Sequence, residues 1–278
     1  MQTAQRNNKA QQKIKIRTGV GNTLVLLVSG LRDVSWMKEK IILLMKRDEG
    51  MPLTSSRFAT VLRFHNPADG DVFFYKEFHN RGAKDVLKNL FGFTRAKRAF
   101  RAGQLLLQYG FLTPEPVLYG VQKTFFFIRN NFLITRAVSG DRTYQYLKHH
   151  FHLPLPGEVL EEKRALLSAA GHEIGRLHKA GIFHGDLRVG NIILHGRGAA
   201  TRFNFIDNER TTRSRILPAK KRLRNLVQLN MIRLPHITMT DRLRFLTAYL
   251  EENPELMPHK KEFMKRIVLL TKKRQQAP

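Results

Sequence analysis

The segment His184-Gly185-Asp186-Leu187-Arg188-Val189-Gly190-Asn191, followed by Phe205-Ile206-Asp207, holds residues whose types and spacing can do chemistry. The first stretch reads H-x-D-x-x-x-x-N, and the second ends an apolar run on an aspartate. Moving a phosphoryl group from a nucleotide to a hydroxyl needs one carboxylate beside the attacking oxygen. It also needs an amide and a second carboxylate to hold Mg²⁺ against the phosphates. Asp186, Asn191 and Asp207 supply that set in the right chain order. Asp186 is the candidate base that orients the acceptor hydroxyl and takes its proton. Asn191 and Asp207 are candidate oxygen ligands for the metal and, through it, the nucleotide. The interval between them fits a strand, a turn and a return strand, which would bring both oxygens to one mouth. His184 reads as a buried residue that holds the loop rather than as a base.

Other candidates lie further off. Lys76 sits in the strand-like run Val72–Phe78, from which an inward lysine reaches the α and β phosphates. Thr54, Ser55 and Ser56, in Leu53–Arg57, read as a loop whose hydroxyls and amides contact phosphate, although the stretch is not G-x-G-x-x-G. Arg188 and Arg210 are the candidate contacts to an anionic substrate, and Arg210 could equally steady the metal loop. His149, His150 and His152 lack a supporting carboxylate or cysteine pattern and read as solvated loop histidines.

These groups must be carried by a frame. Residues 1 to about 17 are polar and basic without periodicity and read as a loose tail, so the expected division is a tail at 1–20, a small lobe at 21–138 and a second lobe at 139–278. Strands are expected at Leu24–Val28, Arg57–His65, Val72–Phe78, Pro116–Tyr119, Thr124–Ile128 and Asn131–Arg136. Ser35 opens a short helix through Lys46, and one long helix spans about Ala83–Gln108, stopped by Gly110 and Pro114. After Val138 the pattern turns helical. Leu160–Lys179 precedes the catalytic segment, a hairpin joins Asn191–Leu194 to Arg202–Ile206, and Ala219–Arg274 is helical and basic. The fold class is α+β: a small antiparallel-sheet lobe with one long helix, then a mainly helical lobe.

The charge is the second strong feature. Against 22 Asp+Glu stand 49 Lys+Arg, a formal +27, in 278 residues. Such a field draws polyanions: nucleic acid, an anionic bilayer or a phosphorylated glycolipid. Basic residues cluster at Arg81–Arg101 and Arg213–Arg224. No RNP-type aromatic pattern, zinc-finger spacing or heptad-linked basic region accompanies them, so nucleic acid has only the charge in its favour. The chain has no cysteine, hence no disulfide framework or thiolate zinc site, and no run of 18 apolar residues.

With these residues in view, the chain resembles the bacterial lipopolysaccharide kinases, the Kdo and heptose kinases of the protein-kinase-like superfamily. The likeness runs from about Arg57 to Arg274. It is carried by Tyr75-Lys76-Glu77-Phe78, Thr94-Arg95-Ala96-Lys97-Arg98-Ala99-Phe100, Gly110-Phe111-Leu112-Thr113-Pro114, the catalytic segment, Leu226–Asn230 and Asp241–Leu250. It implies a two-lobed kinase fold, ATP with Mg²⁺, and a sugar hydroxyl of the lipopolysaccharide inner core as acceptor. It also implies a peripheral protein on the cytoplasmic face of the inner membrane, which suits the charge. Three departures stand out. Ala99 occupies a place where relatives tend to carry a glutamate, and no acid lies between Asp85 and Glu115. Asp207 is followed by Asn208-Glu209 rather than Phe-Gly. Asn225 stands where an aspartate often precedes the leucine. The first leaves the partner of Lys76 unassigned, so a non-enzymatic scaffold docked on the membrane stays open, as does a kinase of protein or small molecules.

Overall fold

The structure, a computed structural model, describes residues 11–19, 22–29, 34–80, 82, 85, 89, 92–125, 127–151 and 154–276. The chain divides into two compact units. One is formed by the chain up to Gln108 with Pro114–Val138, the other by Tyr109–Thr113 with the chain from Ser139 onward.

The first unit is built on a seven-stranded sheet. Its strands are β1 (Gln11–Gly19), β2 (Asn22–Ser29), β3 (Met51–Ser56), β4 (Ala59–His65), β5 (Val72–Phe78), β6 (Pro116–Thr124) and β7 (Phe127–Arg136), in the order β1-β2-β6-β7-β5-β4-β3. Every neighbouring pair is antiparallel. Strand alternation sorts the side chains onto two faces. One face buries Leu24, Leu26, Phe73, Tyr75, Phe132 and Ile134 against Met37, Ile41 and Leu44 of helix α1 (Val34–Lys46). The other buries Phe78 and Leu133 against Ala96, Ala99 and Phe100 of helix α2 (Arg95–Gln108). Burying each large aromatic contributes roughly 1.5–3 kcal/mol.

Three expectations change here. The basic N-terminal segment is not loose from Gln11 onward: β1 pairs with β2 from Gln11↔Ser29 to Gly19↔Asn22. Ile14 and Ile16 pack on the core while Lys13 and Lys15 are exposed, a period of two that the charges obscured. The expected strands at 116–119, 124–128 and 131–136 are two longer ones, with the turn at Phe125, whose φ is 52°. The expected long helix does not run unbroken to Gln108. Gly92 has φ 71°, a left-handed turn, and Thr94 then caps α2 by accepting from the Lys97 amide at 3.2 Å. Residues 83–84, 86–88 and 90–91 of that expected helix lie outside the described residues.

The second unit is mainly helical: α3 (Thr143–His150), α4 (Gly157–Lys179), α5 (Ala219–Asn230), α6 (Met239–Glu251) and α7 (Lys260–Gln276). Short strands complete it. β8 (Asp141–Arg142), β10 (Ile192–His195) and β11 (Arg202–Phe205) form one sheet, and β9 (Ile182–Phe183) pairs with β12 (Thr212–Arg213). Tyr109–Thr113, expected within the small lobe, goes with this unit for a physical reason. Leu112 bridges Asn204, and the Thr113 hydroxyl donates to the Phe205 carbonyl at 2.7 Å. A buried Lys163–Asp241 ion pair at 2.6 Å joins α4 to the start of α6, where Thr238 and Asp241 form a capping box. His149 and His150 lie on α3 rather than in a loop, with His150 3.0 Å from Glu162, and His152 lies outside the described residues.

Candidate active site

In the second unit β9 delivers the chain into His184, and the loop folds on that buried ring. The Asp186 amide donates to His184 Nδ1 at 3.3 Å, so Nδ1 carries a lone pair. The proton therefore sits on Nε2, which faces the Ile206 carbonyl at 3.1 Å and Asn208 Oδ1 at 2.9 Å. Burial lowers the pKa of His184 from its ordinary value, which keeps the ring neutral and in this tautomer. His184 thus ties the loop to the segment bearing Asp207 and is not placed to act as a base.

The loop then turns tightly. Arg188 N–H donates to the Asp186 carbonyl, and Asn191 N–H to the Arg188 carbonyl, each at 2.9 Å. The Asn191 side-chain NH₂ donates to the Asp186 carbonyl at 2.9 Å and to Asp186 Oδ2 at 3.3 Å. With its nitrogen engaged in the loop, Asn191 has Oδ1 as the atom that could serve as a hard-metal ligand. The Ile206 amide donates to the Asn191 carbonyl at 3.0 Å, coupling the strand before Asp207 to Asn191. Asp207 is exposed and left-handed, with φ 62° and ψ 42°, a conformation aspartate tolerates better than most residues. Asp186 itself is about one-third exposed, with Arg188 Nε 3.0 Å from Oδ1.

Helix α5 holds this loop from behind. Asn225, fully buried, accepts from the His184 amide at 3.2 Å and donates to the His184 carbonyl at 2.5 Å. One turn on, Gln228 Oε1 accepts from the Leu187 amide at 3.2 Å and from Asn225 at 2.9 Å, and its Nε2 lies 3.5 Å from Asp186 Oδ1. Asn225 also accepts from His178 Nε2 at 3.2 Å. The other nitrogen of that ring, Nδ1, lies 3.0 Å from the Tyr249 hydroxyl, and burial pushes the His178 pKa down to about 3. An asparagine suits position 225 because it meets an amide N–H with oxygen and a carbonyl with nitrogen. Gly185 is required by close approach: a Cβ there would lie 2.1 Å from Arg210 Cβ. That contact sets Arg210 against the loop. Arg210 is half exposed, with Glu209 3.7 Å away.

In the first unit Lys76 pairs with Val61 of β4 and Leu133 of β7, near the middle of the sheet. It shares the α2 face with Phe78, whose ring lies 5.4 Å from its Nζ. Glu77 takes the other face and bonds Arg47 and Asn130. The stretch expected to be a phosphate loop is instead strand β3, and the turn is only Arg57-Phe58. Thr54 and Ser55 pair with Val61 and Thr60. The Ser56 hydroxyl accepts from the Phe58 and Ala59 amides at 3.2 Å each, so it closes the turn. Buried Arg95 braces that turn by donating to the carbonyls of Phe58 at 2.9 Å and His79 at 3.1 Å.

Sequence reasoning missed Thr113, Asn208, Asn225 and Gln228 as site-holding residues, and Arg95 as a brace. Asn225 was noted only as a departure, and a run of two amides three residues apart on a predicted helix was the available signal. Among the described residues no cluster of three or more His, Cys, Asp or Glu could hold a metal by itself. An Asn–Asp pair that shares the ion with phosphates needs none.

Residues 47–249 match the model of the lipopolysaccharide kinase (Kdo/WaaP) family. The lipopolysaccharide core heptose(I) kinase WaaP of Pseudomonas aeruginosa is 26% identical over 190 residues, 65% of this chain and 70% of that protein. A subunit of the EKC/KEOPS complex, BUD32 of Coccidioides immitis, is 48% identical over 52 residues, 19% of this chain and 18% of that protein. Among solved structures, WaaP in complex with acyl carrier protein aligns with a TM-score of 0.61 at 21% identity, over 81% of this chain and 88% of that one, a likeness of fold. With its antiparallel sheet unit and helical unit, the chain belongs to the lipopolysaccharide kinase (Kdo/WaaP) family, has the kinase-like fold and is a phosphotransferase.

Proposed function

We propose that this chain transfers the γ-phosphate of ATP to a sugar hydroxyl, of Kdo or heptose, in the lipopolysaccharide inner core. Asp186 orients that hydroxyl and takes its proton. Asn191 and Asp207 would hold Mg²⁺, which when bound offsets the negative charge of the phosphates. Lys76 engages the phosphates, the β3–β4 turn covers them, and Arg188 and Arg210 meet the anionic acceptor. One observation chiefly supports this: the Asn191 amide nitrogen is turned onto Asp186, so Oδ1 is the side-chain atom left to meet a metal. That orientation fits a metal ligand and fixes the base in the same contact. The acceptor is lipid-linked and the chain strongly basic, so the site of action is the cytoplasmic face of the inner membrane. Among the described residues no helix is long and apolar enough to cross a membrane.

The test is the mass of the core oligosaccharide in cells carrying Asp186→Asn in place of the parent. The expected result is loss of one phosphate. An unchanged core mass with a missing protein phosphosite would instead favour a protein kinase. The scaffold reading is motivated by Ala99, where relatives tend to carry a glutamate. It would be favoured by Mg-ATP binding without turnover on any acceptor.

A second partner is favoured by a separate observation. The helical unit carries a partly open cavity of about 370 Å³, lined by side chains such as Leu147, Leu166, Ile174, Phe203, Leu226 and Leu246. That size and lining suit an apolar ligand, and the aligned WaaP structure is a complex with acyl carrier protein. We assign the cavity to an acyl chain presented by such a carrier. Native mass spectrometry of the mixed proteins should give a complex with acylated carrier and none with the unacylated form.

A further inference from the structure

The chain from β12 into α5 carries an unusual surface. Between Glu209 and Asp241 there is no acidic residue, while eight are Lys or Arg. At its centre Ile216 is 80% exposed, the most exposed of the large hydrophobic residues among the described residues. Around it Arg213, Arg215, Lys220 and Arg224 are exposed and Lys221 is half-buried. Their polar and ring contacts are uncharged. Arg213 Nε donates to the Ala180 carbonyl at 3.1 Å and its guanidinium lies 4.4 Å from the Tyr109 ring centre. Lys221 and Arg224 lie 5.4 and 5.6 Å from the ring of Phe183, one residue before His184. No carboxylate among the described residues neutralises these five cations.

The same elements hold the catalytic loop. β12 pairs with β9, which runs into His184, and the inner side of α5 carries Asn225 and Gln228. One helix thus grips the loop on its inner side and presents cations on its outer side.

We propose that Arg213, Arg215, Ile216, Lys220, Lys221 and Arg224 form a docking surface for an anionic bilayer, holding the catalytic loop at the headgroup layer. Charge complementarity selects an anionic partner, and the exposed isoleucine selects one with an apolar interior. Protein interfaces favour aromatic anchors and disfavour lysine, and single-stranded nucleic acid favours stacking rings. Here two lysines flank the exposed isoleucine, and the neighbouring ring of Tyr109 is engaged by Arg213. The consequence for catalysis rests on the lipid-linked acceptor proposed above, whereas the docking itself does not.

The test uses the full chain with vesicles of phosphatidylethanolamine and phosphatidylglycerol, and with phosphatidylcholine vesicles as control. Sedimentation should show binding to the anionic vesicles only. Each cation contributes roughly fivefold to partitioning, so Arg215→Glu with Lys220→Glu should weaken binding by about twentyfold or more. Ile216→Ser should weaken it by about tenfold. All three positions lie on the surface, and unchanged thermal melts should confirm that the variants fold. KM for lipopolysaccharide in vesicles should rise, while turnover of a water-soluble deacylated core stays at the parental value. Parental vesicle binding by either variant overturns the proposal. So does loss of acyl carrier protein or duplex RNA binding with vesicle binding intact. If the parent phosphorylates neither acceptor while the vesicle results hold, the acceptor assignment fails and the docking surface stands.

Discussion

Asn225→Ala is the sharpest perturbation of the site that touches none of the reacting groups. The side chain is fully buried and makes four hydrogen bonds, to the His184 amide and carbonyl, to His178 Nε2 and to Gln228 Oε1. Removing it strands three polar groups beyond the reach of water, because Gln228 Oε1 keeps the Leu187 amide, and a stranded buried group costs about 1–3 kcal/mol. Taking the lower figure for each, because the loop can relax, gives a loss of about 3 kcal/mol, against a total stability of about 5–15 kcal/mol for a typical domain. The protein should fold but melt early. Activity should fall on the order of 100-fold, because the released backbone of His184 lies two residues before Asp186 and a misplacement of about 1 Å carries that penalty. Urea unfolding gives the first quantity and steady-state phosphorylation the second. Gln228→Ala supplies the control. Asn225 and Gln228 share a hydrogen bond and a loop, so the double variant should be less destabilised than the sum of the singles by roughly 0.5–3 kcal/mol. A loss below about 1 kcal/mol for Asn225→Ala, or strict additivity, would refute the claim that α5 organises the loop.

Gly185→Ala forces a Cβ to within 2.1 Å of Arg210 Cβ and 2.7 Å of its carbonyl oxygen. Backbone must move, so about 1–3 kcal/mol of stability and most of the activity should be lost, measured by urea melts and turnover. Arg95→Met removes the brace from the Phe58 and His79 carbonyls. Two lost bonds from a charged donor amount to roughly 3 kcal/mol, and KM for ATP should rise more than kcat falls if the β3–β4 turn covers the phosphates. The pKa of His178 drops from 6.5 to about 3 on folding. The unfolded chain therefore binds more protons between those values, so this contribution is intact above about pH 6.5 and is lost as pH falls, by about 1.4 kcal/mol per unit. His184 acts in the same direction. Urea unfolding at pH 7 and 5 should show that decline, and His178→Gln should make it shallower.

What could be read from the sequence was what is local. His184, Asp186, Asn191 and Asp207 are fixed by spacing along one loop and one hairpin, and strand alternation alone put Lys76 and Glu77 on opposite faces. The structure puts a neutral His184 between the Asp186 amide and the Asn208 side chain, in the holding role read for it. The residues that brace the site were not legible, because their partners are distant in sequence. Asn225 lies 41 residues beyond His184, and Asn208 lies 95 beyond Thr113. Hydroxyls at Thr54, Ser55 and Ser56 suggested a phosphate loop by composition. Pairing with β4 makes them an edge strand, and Ser56 spends its hydroxyl on the turn. Density of charge misled twice. Lys13 and Lys15 hid the alternation of Ile14 and Ile16, and Arg95, counted in the basic cluster Arg81–Arg101, is only 5% exposed.

The central claim is that Asp186 serves transfer from ATP to a core sugar. Purified parent and Asp186→Asn proteins, given γ-labelled ATP, Mg²⁺ and lipopolysaccharide lacking the phosphate, measure it directly. Label should appear on the core sugar with the parent, with a loss on the order of 100-fold or more for the variant, at unchanged Mg-ATP affinity. Transfer that survives Asp186→Asn, or a parent that hydrolyses ATP yet leaves every core sugar unlabelled, would contradict it.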